Sequence, residues 1–148
     1  MGDPSEGSAP PLTGSLALLL VGAGRAAQRR IDAVLAPEGL TLRHVGALGH
    51  LAHEPDLSYS DLARRVGVTP QSMRATVQHL EVLGAVRRTL PGHGHPARLE
   101  VTADGQRLLK RARAAVAALD ETLLASVPPE LLDGMRGALL RLMLGAGP

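Results

Sequence analysis

One face of the segment from Thr69 to Leu83 carries side chains whose chemistry suits the edges of DNA bases. The members are small or carry hydrogen-bonding groups, and they are Gln71, Ser72, Arg74, Ala75 and Gln78. An Arg guanidinium pairs with guanine, a Gln amide with adenine, a Ser hydroxyl with bases or phosphates, and an Ala methyl with the thymine methyl. Singly, each is more often an ordinary solvated residue of a helix. Together on one face, they predict a helix that reads the major groove.

These side chains share a face only if the segment is a helix, and the sequence contains the signals that begin and end one. Thr69 is a residue type that caps helices, and Pro70 at the first helical position sacrifices no hydrogen bond. Gly84 ends the segment. The apolar residues at helical spacing predict the opposite, buried face, and they are Met73, Val77, Leu80 and Leu83. We therefore predict a recognition helix with one buried and one exposed face.

A shorter helix precedes the predicted recognition helix and is separated from it by a turn of a few residues. The stretch SYSDLARRVG begins this helix at Ser58 or Ser60 and ends it at Gly67. In a helix-turn-helix, the first helix braces the second one in the groove. Ser58, Ser60, Arg64 and Thr69 are the candidates for contacts with the DNA backbone. For the serines, helix capping is the alternative role.

Two stretches that favour β-structure follow the recognition helix and predict a wing. They span residues 85–90 and 97–102, and the Pro- and Gly-rich residues 91–96 form the loop between them. The basic residues of this hairpin are candidates for phosphate or minor-groove contacts, and they are Arg87, Arg88, His95 and Arg98, with His93 as an alternative to His95. An ordinary basic hairpin is the competing interpretation for each of them.

Composition and charge agree with a nucleic-acid partner. The 148-residue chain fits one domain, and residues 58–98 hold six arginines against two acids, although the whole chain has a net charge of only +2. The chain has no cysteine, which excludes disulfides, thiolate metal sites and a catalytic thiol. The apolar run from Leu16 to Val21 is too short to span a membrane and lacks the basic residues of a signal peptide. We expect a soluble, cytoplasmic protein with no membrane partner.

Helical patterns flank the predicted DNA-binding module on both sides. They cover residues 15–36, about 41–53, 103–126 and 130–144. The first and last are too apolar for a subunit of this size to bury alone, which predicts a homodimer joined by its two ends. The fold class is therefore mainly α, with a short β wing. We divide the chain into a flexible arm (1–14), N-terminal dimerisation and bracing helices (15–57), a winged helix-turn-helix lobe (58–102) and C-terminal dimerisation helices (103–148).

Three stretches are similar to the MarR family of bacterial transcription regulators. They read LTLRHVGALGHL, DLARRVGVTPQSMRATVQHLEVLGAVRR and RLEVTADG, and the resemblance covers about Leu16 to Leu144. It implies a triangular homodimer that places two winged helices on a pseudo-palindromic operator in double-stranded DNA. It also implies a repressor that is released by a small, often aromatic or phenolic, ligand.

The sequence departs from the family at two places. Most members carry an Asp-Arg pair in the wing, whereas this loop reads PGHGHPARLEV and contains no Asp. Arg98 and His95 are the candidates for the position of that arginine. Val45 stands where relatives often have an aromatic residue, which weakens aromatic stacking on a ligand.

The resemblance also implies an effector pocket where the first, second and fifth helices meet. Polar residues in that region that suit a carboxylate or a phenolate are Arg25, Arg29, Arg43, His44 and His50. Ordinary surface contacts are the competing interpretation of these five residues.

Metal binding and catalysis are the other classes of function to be considered. His50 and His53 are three residues apart on a helix, and His93 and His95 flank a glycine, but neither pair has an evident third ligand. The sequence contains no nucleophile elbow, phosphate-binding loop or His-Glu metal motif. We therefore predict no metal, no cofactor and no catalytic residue. A winged-helix module that docks proteins or recognises DNA shape without an effector is the alternative function, and a zinc-dependent hydrolase is a third.

Overall fold

The computed structural model describes residues 14–89, 92 and 98–145, and it confirms the predicted mainly α architecture. The elements, in chain order, are α1 (Leu16–Leu35), a 3-10 turn (Ala36–Glu38), α2 (Leu42–His53), α3 (Tyr59–Val66), α4 (Pro70–Val82), β1 (Val86–Thr89), β2 (Arg98–Val101), α5 (Ala103–Leu123) and α6 (Pro129–Met143). Each boundary lies within about three residues of the sequence prediction.

Side-chain caps and glycines set the ends of the central helices. Ser58 caps α3 by accepting the Asp61 backbone N–H at 3.1 Å, and Thr69 caps α4 in the same way through the Ser72 N–H at 3.2 Å. Gly67 follows α3 with a φ of 74°, a left-handed conformation that glycine adopts without steric cost. These local interactions fix the length of the turn between α3 and α4, and therefore the helix-turn-helix.

The hydrophobic core lies beneath the recognition helix, between α2, α3, α4, the hairpin and α5. It consists of aliphatic side chains, and the largest fully buried ones are Leu35, Leu40, Leu48, Leu51, Leu62, Met73, Val77, Leu80 and Leu99. The prediction that Leu83 is buried is wrong, since Leu83 is 38% exposed, and Leu42 is similarly exposed at 39%. Leu42 is the first residue of α2 and Leu83 is the C-cap of α4, so both lie where their helices emerge from the core.

The wing is a two-stranded antiparallel hairpin that is joined closely to α5. Val86 pairs with Val101 and Thr89 pairs with Arg98. Thr102 donates its hydroxyl to the Gly84 carbonyl at 2.6 Å, and its backbone N–H donates to the Ala85 carbonyl at 3.0 Å. The start of α5 is thereby fixed to the end of the recognition helix.

The two terminal helices leave most of their apolar surface exposed. Leu35 is the only buried residue of α1, and α6 has no buried residue at all. Exposed leucines and methionines include Leu16 at 77% and Met143 at 81%. Within the described ranges, no helix is long and apolar enough to cross a membrane.

Candidate nucleic-acid interface

The recognition helix α4 presents the two faces that the sequence predicts. Met73, Val77 and Leu80 are fully buried, whereas the expected reading residues Gln71, Arg74, Ala75 and Gln78 are exposed. Thr76 is also buried, and its hydroxyl donates to the Ser72 carbonyl one turn earlier at 2.9 Å. The buried face is therefore wider than the apolar pattern indicates.

Ser72 lies at the start of α4 and is only partly exposed. The Thr69 hydroxyl donates to the Ser72 hydroxyl at 3.0 Å and accepts the Ser72 backbone N–H. Thr69 and Ser72 therefore form one local capping pair. Either residue would have to contact DNA while it keeps these hydrogen bonds. DNA contact by Thr69 and Ser72 stays a prediction.

Arg74 differs from the other arginines of residues 58–98 in its partners. Five of the six arginines form ion pairs with carboxylates: Arg64 with Asp61, Arg65 with Glu54, Arg87 with Glu100, Arg88 with Glu81, and Arg98 with Asp56. Arg74 has no carboxylate within ion-pair distance among the residues that the structure describes. An exposed guanidinium without a partner has all of its N–H groups available to a ligand.

Three of the five acidic partners lie just outside the block that the sequence marks as basic. They are Glu54, Asp56 and Glu100, and with them residues 54–100 hold six arginines against five carboxylates. Much of the apparent excess of positive charge is therefore neutralised locally. The capacity of this surface to bind DNA depends more on where its unpaired groups point than on its total charge.

The bracing helix α3 begins with a small polar network. The Ser58 hydroxyl donates to the Asp61 carboxylate at 2.6 Å, and Arg64 donates to the same carboxylate at 2.9 Å. The hydrogen bond from Ser58, followed by the charge of Arg64, lowers the pKa of Asp61 below its ordinary value. Ser58 is thus the capping serine, whereas Ser60 is exposed and forms no such cap.

The arginines of the wing are held by side chains from other elements. Arg88 donates to the Tyr59 hydroxyl at 2.7 Å and to Glu81 at 3.2 Å, and its guanidinium carbon lies 5.8 Å from the centre of the Tyr59 ring. Arg87 donates to Glu100 on the paired strand at 2.8 Å. These contacts fix the orientation of both arginines at the base of the wing.

Arg98 obtains a carboxylate partner although the wing loop contains no Asp. Its Nε lies 3.4 Å from Asp56, which belongs to the connection between α2 and α3. Both side chains are largely exposed, so the pair orients Arg98 only weakly. His95, the other candidate for the position of the family's arginine, and His93 lie outside the described residues.

A pair of histidines joins the recognition helix to α2, and the sequence analysis does not find it. The rings of His44 and His79 have their centres 4.5 Å apart. His79 donates from Nε2 to the Gly39 carbonyl at 2.8 Å, and His44 accepts the Thr41 backbone N–H at Nδ1 at 3.0 Å. Because the two histidines are 35 positions apart on different helices, no local pattern could have revealed the contact.

Two cavities lie beside α2, and they contain three of the five expected effector residues. A cavity of about 440 Å³ lies between α1, α2 and α4 and contains Arg43 and His44. A second, of about 640 Å³, contains Arg43 and His50 and extends to α3 and α6. Arg25 and Arg29 are exposed on α1 and line neither cavity.

No group of three or more metal-ligating side chains is present in the ranges that the structure describes. His50 and His53 have no third ligand there. The arrangement of α4 and the wing is therefore the feature of the described residues that most clearly suggests a function.

Comparisons with known proteins identify the family of the chain. Residues 38–95 match the model of the MarR family. The chain is 42% identical over 113 residues to the HTH-type transcriptional repressor Rv2887 of Mycobacterium tuberculosis, covering 74% of this chain and 80% of the relative.

Solved structures with the same fold include complexes of that relative. Its complex with DNA superposes with a TM-score of 0.76 at 36% identity, covering 86% of this chain and 97% of that one. Its complex with p-aminosalicylic acid gives a TM-score of 0.74 at 35% identity, covering 86% and 98% of the two chains.

Proposed function

The chain belongs to the MarR family of transcription regulators, and we propose that it is a homodimeric, sequence-specific repressor whose two winged helices bind a pseudo-palindromic operator. The observation that carries this proposal is the exposed face of α4, where Arg74 has no ion-pair partner among the described residues. We expect it to act in the cytoplasm, where bacterial DNA lies.

The proposed mode of binding follows from the orientation of α4 in the lobe. The buried stripe fixes the helix, so Gln71, Arg74, Ala75 and Gln78 project together away from the core. In helix-turn-helix proteins the N-terminal residues of the second helix contact base edges. We assign base contacts to these four residues. The arginines at the base of the wing, Arg87 and Arg88, would contact phosphates.

The exposed apolar surface of α1 and α6 supports the homodimer. A monomer that exposes so many leucines at its two ends would be prone to association. A second copy of the chain offers the same apolar surface, and twofold symmetry lets each end cover the other. The dimer would then present two α4 helices to successive turns of the major groove.

We further propose that a small aromatic acid releases the repressor from DNA. The relative Rv2887 was solved with p-aminosalicylic acid. In this chain, Arg43 lies between two cavities, with His44 in one and His50 in the other. The larger cavity, which holds Arg43 and His50, is also lined by apolar side chains of α2, α3 and α6, and this combination suits a carboxylate on an aromatic ring.

Selection of duplexes from a random pool tests the DNA-binding part of this proposal. We expect an enriched site with two inverted half-sites about one helical turn apart. Titration of selected and random duplexes at physiological salt, with sedimentation to count subunits, should show a dimer with a clear preference for the selected site. Equal affinity for both duplexes would instead favour a module that recognises DNA shape or docks proteins.

Addition of p-aminosalicylate to the operator complex tests the effector. We expect release of DNA at concentrations that leave the dimer intact. An unchanged operator affinity at saturating ligand would contradict this class of effector without affecting the proposed DNA binding.

A further inference from the structure

We propose that His44 and His79 are positioning residues for the recognition helix, and that their contact is proton-sensitive, so that acidification weakens operator binding. The inference rests on the proposed DNA binding for its effect on the operator, but the contact itself does not. It concerns a pair of side chains outside the base-reading set.

The pair connects α4 to the corner between α1 and α2. A carbonyl oxygen can only accept, so His79 must carry a hydrogen on Nε2 to bond the Gly39 carbonyl at 2.8 Å. That bond spans 40 residues of sequence and lies near the C-terminal end of α4. The His44 ring then packs against the His79 ring. These contacts help to set the orientation of α4 relative to α2.

The position of Thr41 determines which protonation state of His44 fits. The Thr41 backbone N–H donates to Nδ1 of His44, so this nitrogen must present its lone pair. The hydrogen of the neutral ring is therefore on Nε2. A second proton would place an N–H on Nδ1 directly opposite the Thr41 N–H. The Thr41 hydroxyl oxygen lies 2.9 Å from Nδ1 and can rotate to accept the new N–H. The Thr41 backbone N–H can only donate, so its hydrogen bond to His44 is lost.

Three titratable or charged groups face His44, and two of them disfavour its cation. His79 from α4 and Arg43 from α2 disfavour the cation, whereas Asp32 from α1 favours it. Asp32 already accepts the Leu42 backbone N–H at 2.7 Å. Burial, followed by His79 and Arg43, lowers the pKa of His44 below the ordinary histidine value.

The sign of the pH effect follows from this lowered pKa. At a pH below the ordinary histidine pKa of about 6.5, an undocked His44 binds a proton more readily than the docked one. The contact is therefore at full strength at higher pH and is lost as the pH falls towards the lowered value. The adjacent cavity of about 440 Å³, which also contains Ser72 and Ala75 of α4, gives water access to the pair.

This effect opposes the ordinary consequence of acidification. Histidines that gain positive charge near DNA strengthen phosphate binding. A loss of the His44–His79 contact instead displaces the recognition helix and weakens binding. The direction of the pH dependence therefore distinguishes the two effects.

The test compares operator affinity at about pH 7.5 and about pH 5.5, at one ionic strength, where only histidines change charge widely. The variants are H44Q, whose amide oxygen can still accept the Thr41 N–H, and H53Q as a control for an exposed histidine on the same helix. We expect the wild type and H53Q to lose affinity about three- to tenfold on acidification, a usual range for coupling through packed elements. H44Q should give a flat profile.

Two outcomes would overturn the inference. One is a rise in the affinity of the wild type on acidification, and the other is a loss of affinity in H44Q as large as in the wild type. Nuclear magnetic resonance of the wild type adds a measurement that needs no variant to fold. We expect Nδ1 of His44 to be unprotonated at neutral pH and to titrate below the ordinary histidine range, and the opposite result contradicts the proposal.

A measurement without DNA separates this inference from the proposed function. The free energy of unfolding of the wild type should fall between about pH 7 and pH 5.5 more steeply than that of H44Q, because only the wild type must exclude a proton from position 44. If the chain selects no operator, the proposed function fails while this stability result still decides whether the contact is proton-sensitive.

Discussion

At the scale of single residues, ion pairing separates the arginines of the winged helix into two groups. Five arginines each have a carboxylate partner that partly neutralises them, and they are Arg64, Arg65, Arg87, Arg88 and Arg98. Arg74 has none among the described residues and lies on the exposed face of α4. Bound DNA must compete with a carboxylate at the first group, whereas Arg74 can pair with a base without losing an existing contact.

The substitution Arg74→Ala should therefore remove sequence selectivity. A bidentate contact with guanine contributes about 1 to 3 kcal/mol of discrimination against the wrong base. We expect the affinity for the selected operator to fall by that amount, while the affinity for random duplexes falls much less. Titrations of both duplexes measure the difference.

Arg64→Ala is the matched control for this experiment. Arg64 is also exposed, but it is paired with Asp61 on the bracing helix, where we expect it to contact only the DNA backbone. We expect it to weaken all duplexes alike and to reduce the salt dependence slightly. Full selectivity in the R74A variant would remove Arg74 from the base-reading set.

The two serines at the start of α3 have different roles. Ser58 accepts the Asp61 N–H as the N-cap, whereas Ser60 lies within the first turn and is exposed. Loss of an N-cap costs about 0.5 to 2 kcal/mol. We expect Ser58→Ala to lower the free energy of unfolding in urea by that amount, and Ser60→Ala to change it by much less. Equal changes in the free energy of unfolding of the two variants would show that the Ser58 cap does not stabilise the protein.

At the scale of elements, the sequence predicts the helices well because their ends are determined locally. Thr69 with Pro70 begins α4, and Gly67 ends α3, so each boundary can be recognised within a few residues. The contacts between elements could not be predicted in this way. The pairing of Arg98 with Asp56 and of His44 with His79 depends on how helices pack, which no local pattern records.

Another feature of the elements concerns the joint between the wing and α5. Gly105 is a helical residue of α5 that is packed against the chain entering β1. A Cβ atom here would overlap the Ala85 carbonyl oxygen and would lie 2.8 Å from a methyl carbon of Val101. The sequence motif RLEVTADG contains this glycine, but only the packing shows why a side chain is excluded.

Gly105→Ala should destabilise the protein although alanine favours helices. Overpacking costs about 1 to 3 kcal/mol or more when the obstacle is backbone that cannot move aside. The control is Gly49→Ala in α2, where a Cβ meets nothing within 4 Å. There we expect a gain of about 0.5 to 1 kcal/mol from helix propensity. Thermal or urea unfolding of both variants measures the opposite signs, and a stabilised G105A variant would contradict the close approach.

At the scale of the whole molecule, the distribution of apolar surface has more influence on operator affinity than the net charge has. Residues 54–100 are nearly balanced in charge, so one lobe has limited electrostatic attraction for DNA. Two lobes joined through α1 and α6 would bind a palindrome far more tightly, because the second contact becomes intramolecular. The proposed dimer is therefore required for affinity as well as for burial of the terminal helices.

A charge placed on α6 should separate the contribution of the dimer to operator affinity from that of a single lobe. Leu140 is 50% exposed in the single chain, so Leu140→Asp should leave the lobe folded while it places a carboxylate in the proposed dimer interface. We expect sedimentation to show a mass near 15.4 kDa, that of one chain, instead of twice that value. Affinity for the full operator should fall at least about a hundredfold, the lower end of the gain from bivalent binding. Affinity for an isolated half-site should change little.

Val82→Asp provides the control for the added charge. Val82 is 80% exposed at the end of α4 and does not belong to the terminal helices, so this variant should remain a dimer. Because Val82 lies one turn after Gln78 on the exposed face of α4, the variant controls the sedimentation result and not the operator affinity. A dimeric L140D variant would move the interface away from Leu140. A monomeric L140D variant that still bound the full operator like the wild type would contradict the bivalent mode itself, because a single lobe would then account for the whole affinity.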